Sequence, residues 1–107
     1  MARRGDVHWA NPPVIGEHRF LVVQDDSFNR QFDETLVVPI VSKKDEELTS
    51  WEIEVPKDTF KKPSVVNCSV IILIKHSDLG DFICTLDEKT MQGVDYGLTV
   101  VLGLQDW

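Results

Sequence analysis

The sequence predicts a small, mainly β protein in which about five or six short strands curl into a barrel and one helix ends the chain. Three observations support this fold class. Short apolar segments rich in β-branched residues recur, and turn residues bound each of them. Apolar residues take a helical spacing only near the end of the chain. The 107 residues contain no internal repeat or linker, so we expect one domain over residues 1–107.

Two candidate strands open the chain. The first covers residues 6–10 and stops at Pro12 and Pro13, because proline lacks the N–H that a strand ladder needs. The second covers residues 19–24, in which Arg19 precedes four apolar residues. A buried strand needs no charge, so this arginine is either a solvated strand end or a group placed to meet an anion.

The next segments alternate between loops and strands. Residues 25–34 are polar, and we expect a loop whose Phe28 and Phe32 fold back as anchors. Residues 35–42 form the third strand, with Pro39 at a bulge or an edge position.

Three more strands follow the third. Residues 50–55 alternate apolar and acidic side chains, as a half-solvated antiparallel strand does. A lysine-rich turn over residues 56–63 leads to the most hydrophobic segment, residues 64–75, which we expect to be one central strand. A turn over residues 76–81 precedes a short strand over residues 82–86.

The chain ends in a predicted helix. Thr85 and Glu88 fit a capping box at its start, and Gly103 is placed to end it. Gly93 and Gly97 weaken the helix by about 1 kcal/mol each relative to alanine, so packing against the sheet must support it. The apolar residues at helical spacing are Met91, Val94, Leu98, Val101 and Leu102.

The charge balance argues against nonspecific binding to nucleic acid. Eleven Lys and Arg residues against eighteen Asp and Glu residues give a net charge of −7, and the average field repels polyanions. Positive residues still cluster at Arg3–Arg4, at Lys43–Lys44 and within residues 57–62. Such clusters are either solvated faces or a small local basic site.

Cysteine usage and hydropathy indicate a soluble, cytoplasmic protein. Cys68 and Cys84 lie among apolar residues, so we expect two reduced, packed thiols and no zinc site. The first residues lack the apolar stretch of a signal peptide, and the longest apolar run, residues 70–74, is too short to cross a membrane.

Three segments, in the right order and with the right spacing, carry a resemblance to a known family. The first is Arg3-Arg4-Gly5-Asp6-Val7-His8-Trp9. The second is residues 18–29, HRFLVVQDDSFN, and the third runs from Leu86 through the predicted helix to Leu102-Gly103-Leu104. Together they resemble the MazF/PemK/Kid family of toxin endoribonucleases, the growth inhibitors of type II toxin–antitoxin systems.

The resemblance implies an SH3-like barrel of five to seven strands with a C-terminal helix, the architecture shared with CcdB toxins. It implies a homodimer that cleaves single-stranded RNA, in particular mRNA, through attack by the ribose 2′-hydroxyl. No metal and no other cofactor is implied. The implied protein partner is a cognate antitoxin whose flexible tail occupies the RNA groove.

Arg19, Ser42 and His76 are the candidate catalytic residues. Arg19 matches the family arginine that begins the second strand, and its rigid guanidinium can hold two phosphate oxygens. Ser42 matches the small hydroxyl residue that closes the third strand, where it can donate to a phosphate oxygen or orient the 2′-hydroxyl. Many members carry a second arginine after the central strand. This chain lacks it, and His76 is the candidate replacement as a proton-transfer group.

Seven further residues are expected to bind the RNA. Some lie in the loop that gates the groove in this family, some in the matched polar motif after the second strand, and the lysines supply positive charge. They are Glu17, His18, Gln24, Asn29, Lys43, Lys75 and Asp78.

Two alternatives to an RNA-cleaving enzyme stay open. A CcdB-like gyrase poison would act through the C-terminal Trp107, whereas Trp9 and Trp51 are expected in the core or at a dimer interface. A catalytically degenerate member would keep the fold and bind only a partner. The net charge of −7, the missing second arginine and Asp25 near the expected phosphate path favour this degenerate member.

Overall fold

The computed structural model describes residues 1–104 and contains an antiparallel sheet with a long C-terminal helix, which confirms the predicted fold class. The strands are β1 (Asp6–Ala10), β2 (His18–Val22), β3 (Glu34–Ser42), β4 (Glu52–Glu54), β5 (Ser64–Asn67), β6 (Ile72–Lys75) and β7 (Phe82–Thr85). The helices are α1 (Asp26–Gln31) and α2 (Glu88–Leu102), and a 3-10 turn covers His76–Asp78. The sheet order is β4-β5-β3-β2-β1-β7, with β6 also paired to β3, so β4 and β7 lie at its two open ends.

Strand β2 lies at the centre of the sheet and is buried on both faces. Leu21 belongs to the larger core cluster, which lies between the sheet and α2. Phe20 and Val22 belong to the smaller cluster on the other face. An uninterrupted apolar run is what a strand covered on both faces requires.

Helix α2 begins two residues later than a capping box at Thr85 would place it, so the capping prediction was wrong. Asp87 is the N-cap, and its carboxylate accepts a 2.9 Å hydrogen bond from the Thr90 N–H. Thr85 is still part of β7, and its hydroxyl donates to Asp6 over 2.9 Å. The predicted end of the helix is confirmed, because Gly103 is the C-cap with a φ of +69°.

The two helical glycines lie where α2 passes closest to the sheet. A Cβ at Gly93 would lie 2.9 Å from Ile53 Cγ2, and one at Gly97 would lie 2.9 Å from Cys68 Sγ. The packing that these glycines require for a stable helix is therefore present. Cys68 is buried, Cys84 is half-buried, and both are free thiols, as expected.

The polarity of residues 25–34 predicted a loop, but these residues contain helix α1. Asp25 caps this helix by accepting a 3.0 Å hydrogen bond from the Ser27 N–H. Phe28 and Phe32 do not fold back into the core; they stack on each other 6.0 Å apart and are 51% and 55% exposed.

Residues 64–75 form two strands where the sequence predicted one. The Asn67 side-chain oxygen accepts a 3.0 Å hydrogen bond from the Ser69 N–H, and this local turn ends β5. Strand β5 pairs with the C-terminal part of β3, and β6 pairs with its N-terminal part. Within residues 1–104 no helix is both long and apolar enough to cross a membrane.

Candidate active site

The register of three strands places Arg19 and Ser42 on the same face of the sheet. Arg19 on β2 pairs with Ile40 on β3. Ser42 is the last residue of β3, two positions further on, and it pairs with Ser64 on β5. Directly paired residues and residues two apart point to the same face, so the side chains of Arg19, Ser42 and Ser64 share it.

The Arg19 guanidinium is half-buried between neutral groups. Its Nη2 donates a 3.3 Å hydrogen bond to the Ser64 hydroxyl. Its Cζ lies 4.0 Å from the centre of the Phe60 ring and 6.0 Å from the Trp9 ring. Burial lowers the pKa of Arg19 from its ordinary value, and the neighbouring Cys84 partly opposes this shift. An arginine nevertheless keeps its proton in proteins, so the site holds a permanent positive charge.

No carboxylate neutralises this cation among the residues that the structure describes. The two ion pairs found there join Arg4 to Asp95 and Lys43 to Glu54. An aromatic ring and a hydroxyl hold Arg19 without cancelling its charge. The arrangement can therefore accept an anion, and a guanidinium fork suits two oxygens of a phosphate.

Ser42 is the last residue of β3 and Lys43 follows it, and both residues are exposed. The side chain of Ser42 is exposed and free to donate to a bound oxyanion. The backbone N–H of Lys43 donates to the carbonyl of Pro63 over 2.9 Å, which ties the end of β3 to the segment before β5. The Lys43 ammonium lies 2.9 Å from Glu54, so part of its charge is already compensated.

A groove of about 1300 Å³ has Phe60, the ring that stacks on Arg19, in its wall. Its walls are residues 43–47, the segment from β4 to Pro63, and the first turn of α2. Phe60 lines this groove and also stacks on Arg19, whereas Arg19, Ser42 and Ser64 do not line the groove themselves. Lysines and carboxylates both line the walls, and the groove carries no single sign of charge.

His76, Lys75 and Asp78 lie at the other end of β3. Lys75 pairs with Glu34, the first residue of that strand, whereas Ser42 is the last. Eight residues of extended chain span about 26 Å. The Nδ1 of His76 accepts a 3.4 Å hydrogen bond from the backbone N–H of Ala2. The structure therefore does not bring His76 to Arg19.

Gln24 and Asn29 take part in a network that fixes helix α1 to β3. Asn29 is 1% exposed, and its oxygen accepts hydrogen bonds from Thr35 (2.7 Å) and Gln24 (2.9 Å). Its amide nitrogen donates to the Gln24 carbonyl at 2.9 Å and to Asp26 at 3.1 Å. These contacts occupy Asn29 fully, so the geometry gives it a structural role.

Glu17 and His18 lie just before Arg19 in sequence, yet His18 faces away from it. Glu17 is exposed at the end of the loop between β1 and β2. The ring of His18 packs edge-on to Phe20, with 6.0 Å between ring centres, and its Nδ1 lies 3.3 Å from the Gly16 carbonyl oxygen. Phe20 is buried on the face of the sheet opposite Arg19, and His18 shares that side.

Sequence reasoning missed three residues around Arg19. Ser64 begins a predicted strand and gave no signal of its own. Phe60 is the single aromatic residue in the lysine-rich turn of residues 56–63, which was the one available clue. Trp9 was expected in the core or at a dimer interface, and its 42% exposure beside Arg19 rules out the core. Trp107, the candidate binding tryptophan, lies outside the described residues.

Known proteins resemble this chain over its whole length. The sequence profile of the family described as PemK-like, MazF-like toxin of type II toxin–antitoxin system matches residues 3–102. Endoribonuclease EndoA of Bacillus subtilis (strain 168) is 32% identical over 116 residues, covering 100% of this chain and 99% of EndoA.

Solved structures agree in fold. A mycobacterial endoribonuclease in complex with its cognate antitoxin superposes with a TM-score of 0.86 at 21% identity and covers 100% of both chains. A MazE–MazF structure from Deinococcus radiodurans gives a TM-score of 0.76 at 16% identity, with 95% of each chain covered. The sequence match and the shared fold lead to one conclusion: this chain belongs to the PemK-like, MazF-like family of type II toxin–antitoxin toxins.

Proposed function

We propose that this protein is an endoribonuclease that cleaves single-stranded RNA without a metal, with Arg19 and Ser42 acting at the scissile phosphate. The observation that carries this proposal is the half-buried guanidinium of Arg19, which has no carboxylate partner within residues 1–104 and shares a face of the sheet with Ser42. The relative that is 32% identical along the whole chain is named an endoribonuclease, which supports the same activity here.

The proposed reaction uses the RNA's own 2′-hydroxyl as nucleophile. The 2′-hydroxyl gives its proton to water as its oxygen forms a bond to phosphorus. The bond from phosphorus to the 5′-oxygen breaks, and the 5′-oxygen takes up a proton from water. The products are a 2′,3′-cyclic phosphate and a 5′-hydroxyl end. Arg19 would stabilise the negative charge that builds up on the phosphorane oxygens, and the hydroxyl of Ser42 would donate to one of them. His76 is left out of this chemistry because it lies at the far end of β3.

The test is to incubate the purified protein, in the presence of EDTA, with a mixed panel of single-stranded RNAs and to map the product ends. We expect cleavage at a limited set of sites, cyclic phosphate at one new end and 5′-hydroxyl at the other. A 2′-deoxy substitution at a cleaved position should block that cut, because the nucleophile is gone. An intact panel, or cleavage that continues through the 2′-deoxy position, would overturn the proposal.

We propose that a cognate antitoxin neutralises the toxin by covering Arg19 and the adjacent groove. Solved relatives include an endoribonuclease in complex with its cognate antitoxin, and MazE–MazF assemblies. The mixed charge of the groove walls suits a peptide carrying both charge signs better than it suits a bare polyanion. The antitoxin should stop RNA cleavage at a one-to-one ratio of binding sites. An antitoxin that inhibits cleavage but leaves RNA binding intact would contradict its placement over Arg19 and the groove.

We propose further that the protein is a cytoplasmic homodimer of single-domain subunits, associated through an apolar patch. The patch surrounds a recess of about 490 Å³ between α1 and the end of α2. Its residues Phe28, Phe32, Leu36 and Leu102 are all at least 36% exposed, although each is large and apolar. Phe32→Glu should give a monomer in sedimentation equilibrium. A wild-type protein that sediments as a monomer would refute the homodimer.

A catalytically degenerate, partner-binding member is the second candidate function. The net charge of −7 and the missing second arginine favour it, since both reduce affinity for a polyanion. Such a protein would bind the antitoxin and leave every RNA in the panel uncut. A CcdB-like action would instead depend on Trp107 and would be unaffected by Arg19→Ala.

A further inference from the structure

The ring of Phe60 stacks on the Arg19 guanidinium. The 4.0 Å between the Arg19 Cζ and the centre of the ring is a stacking distance. A ring stacked on one face of a guanidinium leaves the N–H groups free, because they point outward in the guanidinium plane.

The loop that carries Phe60 is fixed at both ends and inside. The Val55 N–H donates to the Ser64 carbonyl at 3.0 Å, and the Lys43 N–H donates to the Pro63 carbonyl at 2.9 Å. Within the loop, the Thr59 hydroxyl donates to the Pro56 carbonyl at 2.7 Å. The ring of Phe60 is therefore presented to Arg19 by a braced segment, not by a free loop tip.

Ser64 completes the support of Arg19 from the other side. Its hydroxyl donates to the carbonyl of Lys62 at 2.9 Å, which directs the hydroxyl hydrogen away from the arginine. The same oxygen then accepts the 3.3 Å hydrogen bond from Arg19 Nη2. Ser64 is 2% exposed, so this acceptor cannot turn to solvent instead. A ring and a buried oxygen together restrict the guanidinium without neutralising it.

We infer that Phe60 is a positioning residue for Arg19: it holds the guanidinium plane in the orientation that meets the scissile phosphate. A long arginine side chain that is already ordered loses less conformational freedom when the phosphate binds. The ring also excludes water from one face, which strengthens the interaction of the remaining N–H edge with an anion. This inference rests on the proposed ribonuclease function, in which Arg19 touches the phosphate and Phe60 acts only through it.

The kinetic test compares single-turnover cleavage rates at saturating enzyme. Phe60→Leu keeps an apolar side chain but removes the ring, and it should lower the rate roughly 3- to 30-fold. Phe60→Tyr keeps the ring and should restore a rate close to wild type. Phe82→Leu is the matched control, since Phe82 is 57% exposed on β7 and contacts His8, not Arg19. It should leave the rate unchanged.

A double-mutant cycle separates positioning from a structural effect. If Phe60 acts through Arg19, then Phe60→Leu added to Arg19→Ala should cause no further loss of rate. The inference is overturned if Phe60→Leu cleaves as fast as wild type, or if its effect is undiminished in the Arg19→Ala background. Circular dichroism melting of each variant checks that the fold is retained.

A second readout does not depend on catalysis. In nitrogen-15 NMR, the Arg19 Nε–Hε signal should be ordered and displaced by the ring current of Phe60 in the wild-type protein. Phe60→Leu should remove the displacement and lower the order parameter, whereas Phe82→Leu should change neither. If wild type cleaves no RNA, the proposed function fails while this measurement still decides the inference. An Arg19 signal that is equally ordered in Phe60→Leu would refute it.

Discussion

Replacing Gly97 by alanine tests a close approach of helix α2 to Cys68, the residue after β5. The added methyl carbon would lie 2.9 Å from Cys68 Sγ and 3.4 Å from Cys68 Cβ. Favourable non-bonded contacts begin at about 3.5 Å, so Cys68 would have to move by roughly half an ångström or more. Cys68 is fully buried, which makes this movement costly. Overpacking costs about 1 to 3 kcal/mol, against a gain in helix propensity of about 1 kcal/mol.

The expected net effect of Gly97→Ala is a loss of about 1 kcal/mol of stability, or a melting temperature lower by about 4 to 8 °C. Adding Cys68→Ala removes the obstructing sulfur. In that background the same glycine substitution should raise the melting temperature, because only the helix propensity remains. Circular dichroism melting of the four proteins completes the cycle. A Gly97→Ala protein that melts above wild type would show that Cys68 moves aside for the methyl group at little cost.

Three further predictions concern the Asp87 cap of α2, the hydrogen-bond network around Asn29 and the two cysteine thiols. Hydrogen bonds from Thr90 lower the pKa of Asp87. The Asp87 cap therefore stabilises the fold at pH values above the ordinary aspartate pKa, and this stabilisation is lost as the pH falls through the lowered pKa of Asp87. Asp87→Ala should therefore melt below wild type at pH 7, and the difference should shrink at the most acidic pH at which both fold. Asn29→Ala should destabilise the protein by about 2 to 4 kcal/mol in urea unfolding, because the partners of Asn29 lose their hydrogen bonds. The cleavage rate per folded molecule should stay unchanged. A loss of cleavage without a loss of stability would place Asn29 in substrate binding. Burial raises the pKa of Cys68 to about 11, so iodoacetamide at pH 8 should label the less buried Cys84 first in the native protein, as read by mass spectrometry. Faster labelling of Cys68 would contradict its burial.

Apolar patterning in the sequence predicted most of the strands, whereas local polar contacts determine helix α1 and the break between β5 and β6. The strands at residues 6–10 and 34–42 and the C-terminal helix follow from periodicity and from the turn residues that bound them. Helix α1 does not follow from periodicity, because its cap at Asp25 and the buried hydrogen bonds of Asn29 hold it in place. The turn at Asn67 likewise breaks an apolar run that looks continuous.

The sequence predicts Arg19 and Ser42 as site residues, whereas the positions of Ser64 and Phe60 beside Arg19 depend on strand register. Arg19 lies at the start of β2 and Ser42 at the end of β3, so antiparallel pairing of these strands brings them to the same end of the sheet. The contact of Arg19 with Ser64 and Phe60 depends on how β5 pairs with β3, and spacing along the chain does not encode that. The break between β5 and β6 sends the chain to the far end of β3, which places His76 away from the site.

The proposed role of Arg19 at the scissile phosphate depends on its guanidinium, so the cleavage rate of Arg19→Ala decides whether that role is real. Single-turnover cleavage of a sensitive RNA in EDTA should fall roughly 100- to 1000-fold when this guanidinium is removed. Arg30→Ala is the matched control, because Arg30 is an exposed arginine at the end of α1 and should leave the rate unchanged. An Arg19→Ala protein that cleaves as fast as wild type would contradict this role of Arg19.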